Sequence, residues 1–278
     1  MRRDRDYVLG THDEEIARLG LQHRVWRPRA SSAWQRAGFT AGHTILDIGC
    51  GPGHASLDLA EIVGPSGRVL AIDRSRRFLD ALEASCRARG LDNIVTAELD
   101  LDEDALPAAA ADGAWGRWVF AFVKRPRDLL ARLAGALKPG GALVVHEYFH
   151  YATWRLTPRS PAFEDFVRTV IESWRSTGGE PDIGLELPRW LEELGFDLCS
   201  VTPIIDMVGP SDFVWQWPRA FVEVGLRRLV ELGHLTPERA HAMGEAVTQA
   251  EAAPATRMIT PAVLEIIAVR RPGGSPPA

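Results

Sequence analysis

An acidic residue and three alternating glycines, from Asp47 to Gly53, form the part of this sequence most suited to holding a ligand. The segment reads Asp-Ile-Gly-Cys-Gly-Pro-Gly and lies between a short apolar run and an amphipathic stretch. Glycines after a strand let the backbone turn sharply and approach a ligand closely. A nicotinamide dinucleotide fingerprint would need a further glycine where His54 stands, and the Asp47 carboxylate would repel phosphate. That carboxylate suits an ammonium group instead, and the following helix N-terminus suits a carboxylate, so the loop matches both ends of an amino acid.

Two further carboxylates follow the next two apolar runs. Asp73 ends the second run, 20 residues after Gly53, where an acidic side chain can accept hydrogen bonds from ribose hydroxyls. Asp100 and Leu101 follow the third run, where a carboxylate can accept a hydrogen bond from the exocyclic amine of adenine. On consecutive strand ends, these residues predict a site for a ligand with amino acid, ribose and adenine parts.

A dense group of polar and aromatic side chains ends the fifth apolar run, beginning at His146. Ligands bind at the carboxyl ends of strands in open α/β sheets. If the protein catalyses a reaction that needs a general base, we therefore expect that base to be His146 or His150. Tyr148 or Glu147 would position that base. The alternative is structural, with His146 hydrogen-bonded over the sheet and His150 on the surface. Alternation along the strand places His146 and Tyr148 on one face and Glu147 on the other.

Short apolar runs alternate with amphipathic stretches from residue 43 onward. This alternation predicts an α/β fold with a doubly wound, mostly parallel sheet of seven strands. The predicted strands are 44–48, 68–72, 93–99, 115–122, 142–147, 196–206 and 263–269, and the predicted helices are 56–63, 76–89, 126–137, 161–176, 187–194, 218–232 and 237–252.

The composition narrows the classes of function. With 32 basic and 37 acidic side chains among 278 residues, the net charge is −5 and the pI is near 5.9. No global positive field therefore exists to hold nucleic acid or an anionic membrane. Cys50, Cys86 and Cys199 are odd in number and lack the spacing of a zinc site, and no apolar stretch has the length of a membrane span. We expect a cytoplasmic protein without a metal, membrane or nucleic-acid partner.

The stretch from His43 to Tyr148 resembles the class I S-adenosylmethionine-dependent methyltransferases. Asp47 to Gly53 match the first motif of that family without a gap, and Pro139 to Gly141, before the fifth predicted strand, fit the same pattern. The resemblance implies a Rossmann-like methyltransferase fold and S-adenosyl-L-methionine as the cofactor. It also implies that the glycine loop holds the methionine part, that Asp73 binds the ribose and that Asp100 lies near the adenine.

The N-terminal stretch looks like the first helix of a group of small-molecule methyltransferases. It contains Tyr7, and Glu15, Arg18 and Gln22 at a spacing that lets them share one helix face. These three residues can equally form an ordinary solvated face, and Arg117 can equally form a structural ion pair. The expected cofactor-binding set consists of Asp47, Gly49, Cys50, Gly51, Gly53, Asp73, Arg74, Asp100, Leu101, Arg117, Tyr7 and Gln22.

We expect residues 1–272 to form one domain, because no stretch rich in glycine, serine or proline divides the chain. Its predicted parts are an N-terminal helical lid at 1–42, a cofactor-binding core at 43–150, helical cap insertions at 151–180 and 207–260, and a last strand at 263–270. The tail at 273–278 has the composition of a disordered segment. The aromatic-rich caps can form a dry pocket, a helix-packing core or a homodimer interface.

These features favour an enzyme that methylates a small, apolar or aromatic metabolite at oxygen, nitrogen or carbon by in-line displacement. No Asn-Pro-Pro-Tyr motif, typical of nucleic-acid base methylation, follows the fourth strand. The core resembles quinone-biosynthesis methyltransferases, and secondary metabolism is another setting. The alternative is a cofactor-binding protein without methyl transfer, cyclase-like or regulatory. An open path from Gly53 to the end of strand five would favour transfer, whereas a plug by Tyr148, Tyr7 or Trp26 would favour binding alone.

Overall fold

The computed structural model describes residues 13–106 and 111–272. The expected cofactor residue Tyr7 and the tail at 273–278 lie outside these residues. The helices are α1 (Asp13–Arg36), α2 (His54–Val63), α3 (Arg76–Arg89), α4 (Pro126–Ala136), α5 (Pro161–Ser176), α6 (Leu187–Glu193), α7 (Gln216–Glu231) and α8 (Pro237–Ala252). The strands are β1 (Thr44–Ile48), β2 (Arg68–Asp73), β3 (Ile94–Glu98), β4 (Ala111–Arg117), β5 (Leu137–His150), β6 (Arg155–Thr157), β7 (Phe196–Ile204), β8 (Met207–Val208), β9 (Arg257–Ile259) and β10 (Ala262–Arg270).

Seven strands form one sheet in the order β3-β2-β1-β4-β5-β10-β7. The first five pair in parallel, whereas β10 is antiparallel to both β5 and β7. The predicted doubly wound, mostly parallel sheet of seven strands is therefore confirmed. The chain winds one way from β1 to β3 and the other way through β4 and β5. The carboxyl ends of β1 and β4 consequently flank the crevice where ligands bind in such sheets.

Apolar side chains bury both faces of this sheet. On one face, α1 and α2 cover the central strands through Trp34, Leu59 and Ile45, all fully buried. On the other face, α4 and α6 pack through a cluster that includes Leu133 and Leu191. Burying a leucine-sized side chain stabilises a fold by about 1.5–3 kcal/mol, so burial from both sides holds the strand ends firmly in place.

Strands β4 and β5 differ most from their predicted bounds. β4 covers Ala111–Arg117 rather than 115–122. It ends there because Trp118 has a positive φ of 54°, which an extended strand cannot contain. β5 runs to His150, beyond the predicted end at residue 147, because its antiparallel pairing with β10 continues to the pair of Ala262 and His150.

Helix α1 and the cap insertions enclose a second, aromatic core at the carboxyl ends of β4 and β5. We call it the aromatic cap cluster, and its rings come from Trp26, Trp118, Tyr148, Tyr151, Trp154, Phe163, Phe166, Trp174, Trp215, Trp217 and Phe221. Neighbouring rings lie edge to face, as in Trp154 and Phe163 at 5.1 Å and 89°. These rings are buried within a single chain and so form a helix-packing core, which is one of the three predicted roles of the cap aromatics.

None of the helices in residues 13–106 and 111–272 has the length and apolar composition needed to cross a lipid bilayer. The same ranges contain no group of three or more histidine, cysteine or carboxylate side chains placed to hold a metal ion. Cys50, Cys86 and Cys199 are all free thiols.

Candidate active site

A cavity opens at the carboxyl ends of β1 and β4, beside α1. The residues of the expected cofactor set that line it are Gln22, Asp47, Gly49, Cys50, Gly51, Asp73, Arg74, Asp100, Leu101 and Arg117. Gly53 lies next to this wall rather than in it. The structure thus brings together, at one site, residues that are spread over nearly 100 positions of the sequence.

The glycine loop between β1 and α2 uses its glycines in two ways. Gly51 lines the cavity with a φ of 55°, a left-handed conformation that other residues rarely adopt. Gly53 has a φ of 79°, and a Cβ atom there would lie 2.3 Å from Leu82 Cδ1 on α3. Gly53 therefore permits close helix packing, while Gly51 presents backbone to the cavity.

Asp73, at the end of β2, is held on both carboxylate oxygens by backbone donors. Gly51 N donates to Oδ2 and Ser75 N donates to Oδ1, each at 2.8 Å. Burial raises the pKa of Asp73, against the lowering effect of these donors. Each carboxylate oxygen has capacity for a further hydrogen bond, so the side chain that fixes the glycine loop can also accept from two neighbouring hydroxyls.

Asp47 is the buried carboxylate at the start of the glycine loop. Ser56 Oγ donates to its Oδ2 at 2.5 Å. Burial raises the pKa of Asp47 to about 7, against the lowering effects of Ser56 and the Arg117 guanidinium. A cation placed beside such a group favours its ionised form. Asp47 therefore suits the ammonium group of the methionine part of the cofactor.

Arg117, the last residue of β4, reaches the cavity on the α1 side. Its Nη2 donates to Nδ1 of His23 at 3.3 Å, and its guanidinium carbon lies 5.2 Å from the Trp118 ring centre. Its Nη1 is buried and has no hydrogen-bond partner among residues 13–106 and 111–272. Burial lowers the pKa of Arg117 to about 10, which leaves it charged at neutral pH. A buried donor without an acceptor is costly, and the cofactor's carboxylate would supply the acceptor, so the residues present fit this cofactor.

The other end of the cavity is mainly apolar. Its wall is formed by Phe78, Leu99, Leu101, Phe122 and Val123. Asp100 lies beside them, with its Oδ1 accepting from Asp102 N at 2.9 Å and its own N–H donating to Asp104 Oδ2 at 2.8 Å. The Asp100 backbone N–H is thus used within its own turn, and the carboxylate remains as the group that can bind an adenine amine.

Several residues of the cavity wall were not predicted from the sequence. They are Leu19, Pro52, His54, Ala55, Phe78, Leu99, Asp102, Trp115, Trp118, Val119, Phe122 and Val123. Leu19 lies three residues before Gln22 on α1, so the helical spacing that indicates Gln22 indicates Leu19 too. The residues that follow β4 lie beside the end of β1, where the winding direction of the sheet reverses. Ligands bind at such a point, so the predicted strand order could have indicated these residues.

The polar face of α1 is buried, so the solvated alternative for it is wrong. Arg18 donates to both Glu15 carboxylate oxygens, at 2.6 and 2.7 Å, and to Gln22 Oε1 at 3.0 Å. All three side chains are at most 7% exposed. The face is covered because α7 packs on it, with the Arg18 guanidinium 5.8 Å from the Phe221 ring centre. The network fixes the orientation of Gln22 at the cavity wall.

His146 on β5 is fully buried behind the cavity wall. Its Nε2 lies 2.9 Å from Glu265 Oε2 on β10. Its ring packs edge-on against Trp115, 4.9 Å away, and Trp26, 5.5 Å away. Burial lowers the pKa of His146, although Glu265 opposes the shift. This geometry favours the structural alternative, a histidine hydrogen-bonded over the sheet, and a catalytic role for His146 stays a prediction.

Tyr148 and His150, the other predicted catalytic residues, also lie away from the cavity wall. Tyr148 is buried in the aromatic cap cluster, and His150 is exposed at the end of β5. Glu147 lies on the opposite face, as alternation predicts, and its Oε2 accepts from Phe120 N at 2.8 Å and Ala121 N at 3.3 Å. Burial raises the pKa of Glu147 to about 7, against these backbone donors. Glu147 therefore holds the loop after β4 rather than a histidine.

Comparison with known proteins identifies relatives of this chain. A family model for a methyltransferase domain matches residues 45–141, which include the glycine loop, Asp73 and Arg117. A demethylmenaquinone methyltransferase of Lactococcus lactis is 31% identical over 197 residues, 69% of this chain and 73% of that protein. An aklanonic acid methyltransferase of a Streptomyces strain is 30% identical over 140 residues, 48% of this chain and 63% of that protein. Other curated relatives are matched over 46% and 61% of their length, so the chain spans less than two thirds of several of them.

Solved structures with this fold differ in their chemistry. The geranyl diphosphate C-methyltransferase of Streptomyces coelicolor, in complex with S-adenosyl-L-homocysteine, aligns with a TM-score of 0.57 and 17% identity, over 89% of this chain and 80% of that one. The [4+2]-cyclase SpnF aligns with a TM-score of 0.54 and 20% identity, over 87% and 80%. The fold alone therefore does not separate methyl transfer from other reactions, and the sequence relatives decide the family. The chain therefore belongs to the class I S-adenosylmethionine-dependent methyltransferases, whose cofactor is S-adenosyl-L-methionine.

Proposed function

We propose that the protein methylates a small, apolar or aromatic metabolite at oxygen, nitrogen or carbon. The observation that carries the proposal is the make-up of one cavity wall. Asp47 and Arg117 supply opposite charges at one end, and Trp115 and Trp118 supply aromatic surface beside them. Charged groups of both signs suit the zwitterionic end of the cofactor, and the aromatic surface suits an apolar acceptor.

In this proposal the chain's own residues act mainly by alignment. Asp47 binds the ammonium group, Arg117 binds the carboxylate, and Asp73 binds the ribose hydroxyls. The bound cofactor supplies an electrophilic methyl group on a sulfonium. Holding a nucleophile in line with such a group contributes much of the rate of a displacement reaction. The buried rings of Trp115 and Trp118 exclude water from the same wall.

The need to remove a proton from the acceptor limits the chemical class to which the acceptor can belong. His54 is a histidine on the described wall, and burial lowers its pKa to about 4, which makes it a weak base at neutral pH. We therefore infer an acceptor that loses its proton readily, such as a phenol, an enol or an acid. The name of one relative agrees with this class, since it refers to an acid.

The organisation of the chain is part of the proposal. We assign residues 1–272 to one methyltransferase domain, with α1 as part of its lid. Gln22 on α1 lines the cavity, and Trp26 one turn later belongs to the aromatic cap cluster. One helix thus contributes both to the cofactor site and to the cap, which supports a single cooperative unit.

One observation favours a second candidate, a cofactor-binding protein without methyl transfer. The indole of Trp118 stacks on the ring of Tyr148, at 5.3 Å, and on the ring of Trp217, at 5.5 Å, and Trp26 packs edge to face with it at 5.3 Å. These rings fill the space between the cavity and the end of β5. An acceptor must then bind beside Trp118 or displace it.

A labelled-methyl assay separates the two candidates. The purified protein is incubated with S-adenosyl-L-methionine labelled on its methyl group and with panels of quinols, phenols and carboxylic acids. Transfer of label to an acceptor, abolished by excess S-adenosyl-L-homocysteine, is the expected result. Tight cofactor binding without transfer to any panel member would instead support the binding protein.

A further inference from the structure

His23, on α1, links the protein surface to Arg117 through a chain of short contacts. Its Nε2 lies 3.0 Å from Asp58 Oδ2 on α2, and its Nδ1 lies 3.3 Å from Arg117 Nη2. Asp58 in turn accepts from Arg27 Nε at 2.7 Å. His23 itself is buried. The chain of contacts therefore begins at exposed Arg27 and ends at the wall of the cofactor cavity.

The partners of His23 fix its protonation state. A guanidinium can only donate, so Nδ1 of His23 accepts from Arg117 and the ring proton lies on Nε2, where it is donated to Asp58. The ring thereby holds Nη2 of Arg117. Nη1 is left buried and without a partner in the described part of the chain.

We propose that His23 is a positioning residue for the cofactor, because it orients Arg117 so that Nη1 binds the carboxylate of the cofactor's methionine part. This inference rests on the proposed role of Arg117. The rings of Trp115 and Trp118 lie 5.8 and 5.2 Å from the guanidinium carbon. Rings attract the face of a guanidinium but do not fix its rotation in its own plane. The in-plane hydrogen bond from Arg117 Nη2 to His23 fixes that rotation.

The same geometry makes cofactor binding sensitive to acid. A second proton on His23 would place an N–H on Nδ1 against the Arg117 guanidinium, and an attractive contact would become repulsive. The charged and titratable groups that face His23 are Asp58 and His54 on α2, Arg27 on α1 and Arg117 on β4. Burial and Arg117 lower the pKa of His23, while Asp58 opposes them. The contribution of His23 to binding is therefore complete at neutral pH and is lost only below the ordinary histidine range.

A cycle of ligands and variants tests the assignment. S-adenosyl-L-methionine and its decarboxylated analogue differ by the carboxylate, and calorimetric titration near neutral pH gives both affinities. We expect His23→Phe to weaken S-adenosyl-L-methionine about tenfold or more and the analogue less than about twofold. His23→Asn, whose side-chain oxygen can still accept from Arg117, should recover part of the loss. The exposed-site control His241→Phe should change neither affinity.

Equal weakening of both ligands by His23→Phe would overturn the assignment, and so would the absence of any weakening. If His23→Phe does not fold, Asp58→Asn replaces it. An amide there can donate to Nε2 and move the ring proton to Nδ1, so a selective loss for S-adenosyl-L-methionine is again expected, and an unselective result again overturns the assignment. Wild-type protein that binds neither ligand would overturn the cofactor site itself, which distinguishes failure of the proposed function from failure of the role of His23.

Discussion

Trp118 and Tyr148 stack face to face between the cofactor cavity and the aromatic cap cluster, with ring centroids 5.3 Å apart and planes 16° apart. Trp118 lines the cavity, whereas Tyr148 lies behind it. The pair therefore forms the partition between the cofactor and the interior of the cap. In the proposed function, an acceptor that approaches the cofactor from the cap side meets the indole of Trp118 first, so we expect this residue to limit acceptor size.

The backbone of Trp118 gives an unusual order of stabilities. At a φ of 54°, glycine fits without strain and alanine does not. We expect Trp118→Gly to be about 1 kcal/mol more stable than Trp118→Ala in urea unfolding. The control is Trp174 in α5, where alanine should be the more stable replacement by about 1 kcal/mol because glycine disfavours helices. The same order at both positions would contradict the left-handed backbone at Trp118.

Gly51→Val tests the glycine loop. It places a branched side chain on the cavity wall at a φ of 55°, so we expect no measurable binding of S-adenosyl-L-homocysteine and an unchanged circular dichroism spectrum. Strain should lower the free energy of unfolding by about 1–3 kcal/mol. Gly90→Val is the matched control, because Gly90 has a φ of 65° and open space around a Cβ atom at the end of α3. It should lose similar stability and keep its binding. Wild-type affinity in Gly51→Val would remove the loop from the site.

The raised pKa of Asp47 predicts that protons are released when the cofactor binds. Burial raises its pKa to about 7 in the free protein, and a bound ammonium group should lower that pKa. At about pH 6.5, where an α-amino group is already protonated, binding should release roughly half a proton or more. Affinity should correspondingly rise with pH up to about 7. Calorimetry in buffers of different ionisation enthalpy measures the release, and Asp47→Asn should abolish it. Proton uptake by the wild type would contradict the assignment of Asp47.

His146→Ala separates structure from catalysis. The substitution leaves a cavity under Trp115 and removes one partner of the buried Glu265 carboxylate, while the Arg36 contact remains. We expect the free energy of unfolding to fall by about 2–5 kcal/mol. Affinity for S-adenosyl-L-homocysteine should be retained, and His146→Gln, which can still donate to Glu265, should recover part of the stability. Unchanged stability together with lost methyl transfer would return His146 to the role of base.

The sheet and the motif residues could be predicted because their signals are local. Strand periodicity, and an acidic residue at the end of β1 and of β2, are visible within a few positions of Asp47 and Asp73. The role of His23 has no such signal, since its partners Asp58 and Arg117 are 35 and 94 positions away. The end of β4 depends on one left-handed residue, Trp118, whose conformation leaves no trace in the sequence.

The predicted base shows a different limit. The spacing of His146, Tyr148 and His150 correctly places them at the end of β5, at the functional edge of the sheet. Whether a side chain there reaches the ligand depends on what packs over it. Here Trp26, which precedes His146 by 120 positions, covers its ring. Packing between distant segments therefore determines which side chains at the end of β5 face the cavity, and this packing could not be predicted from the sequence.

The most direct test of the central claim is calorimetric titration of the wild type and of Asp73→Ala with S-adenosyl-L-homocysteine. The wild type should bind this product with micromolar or tighter affinity. Asp73→Ala should bind it about 5- to 150-fold more weakly, because about 1–3 kcal/mol of charge-assisted hydrogen bonding to the ribose is lost. Absence of binding by the folded wild type, or equal affinity in the two proteins, would contradict the account of the cofactor site.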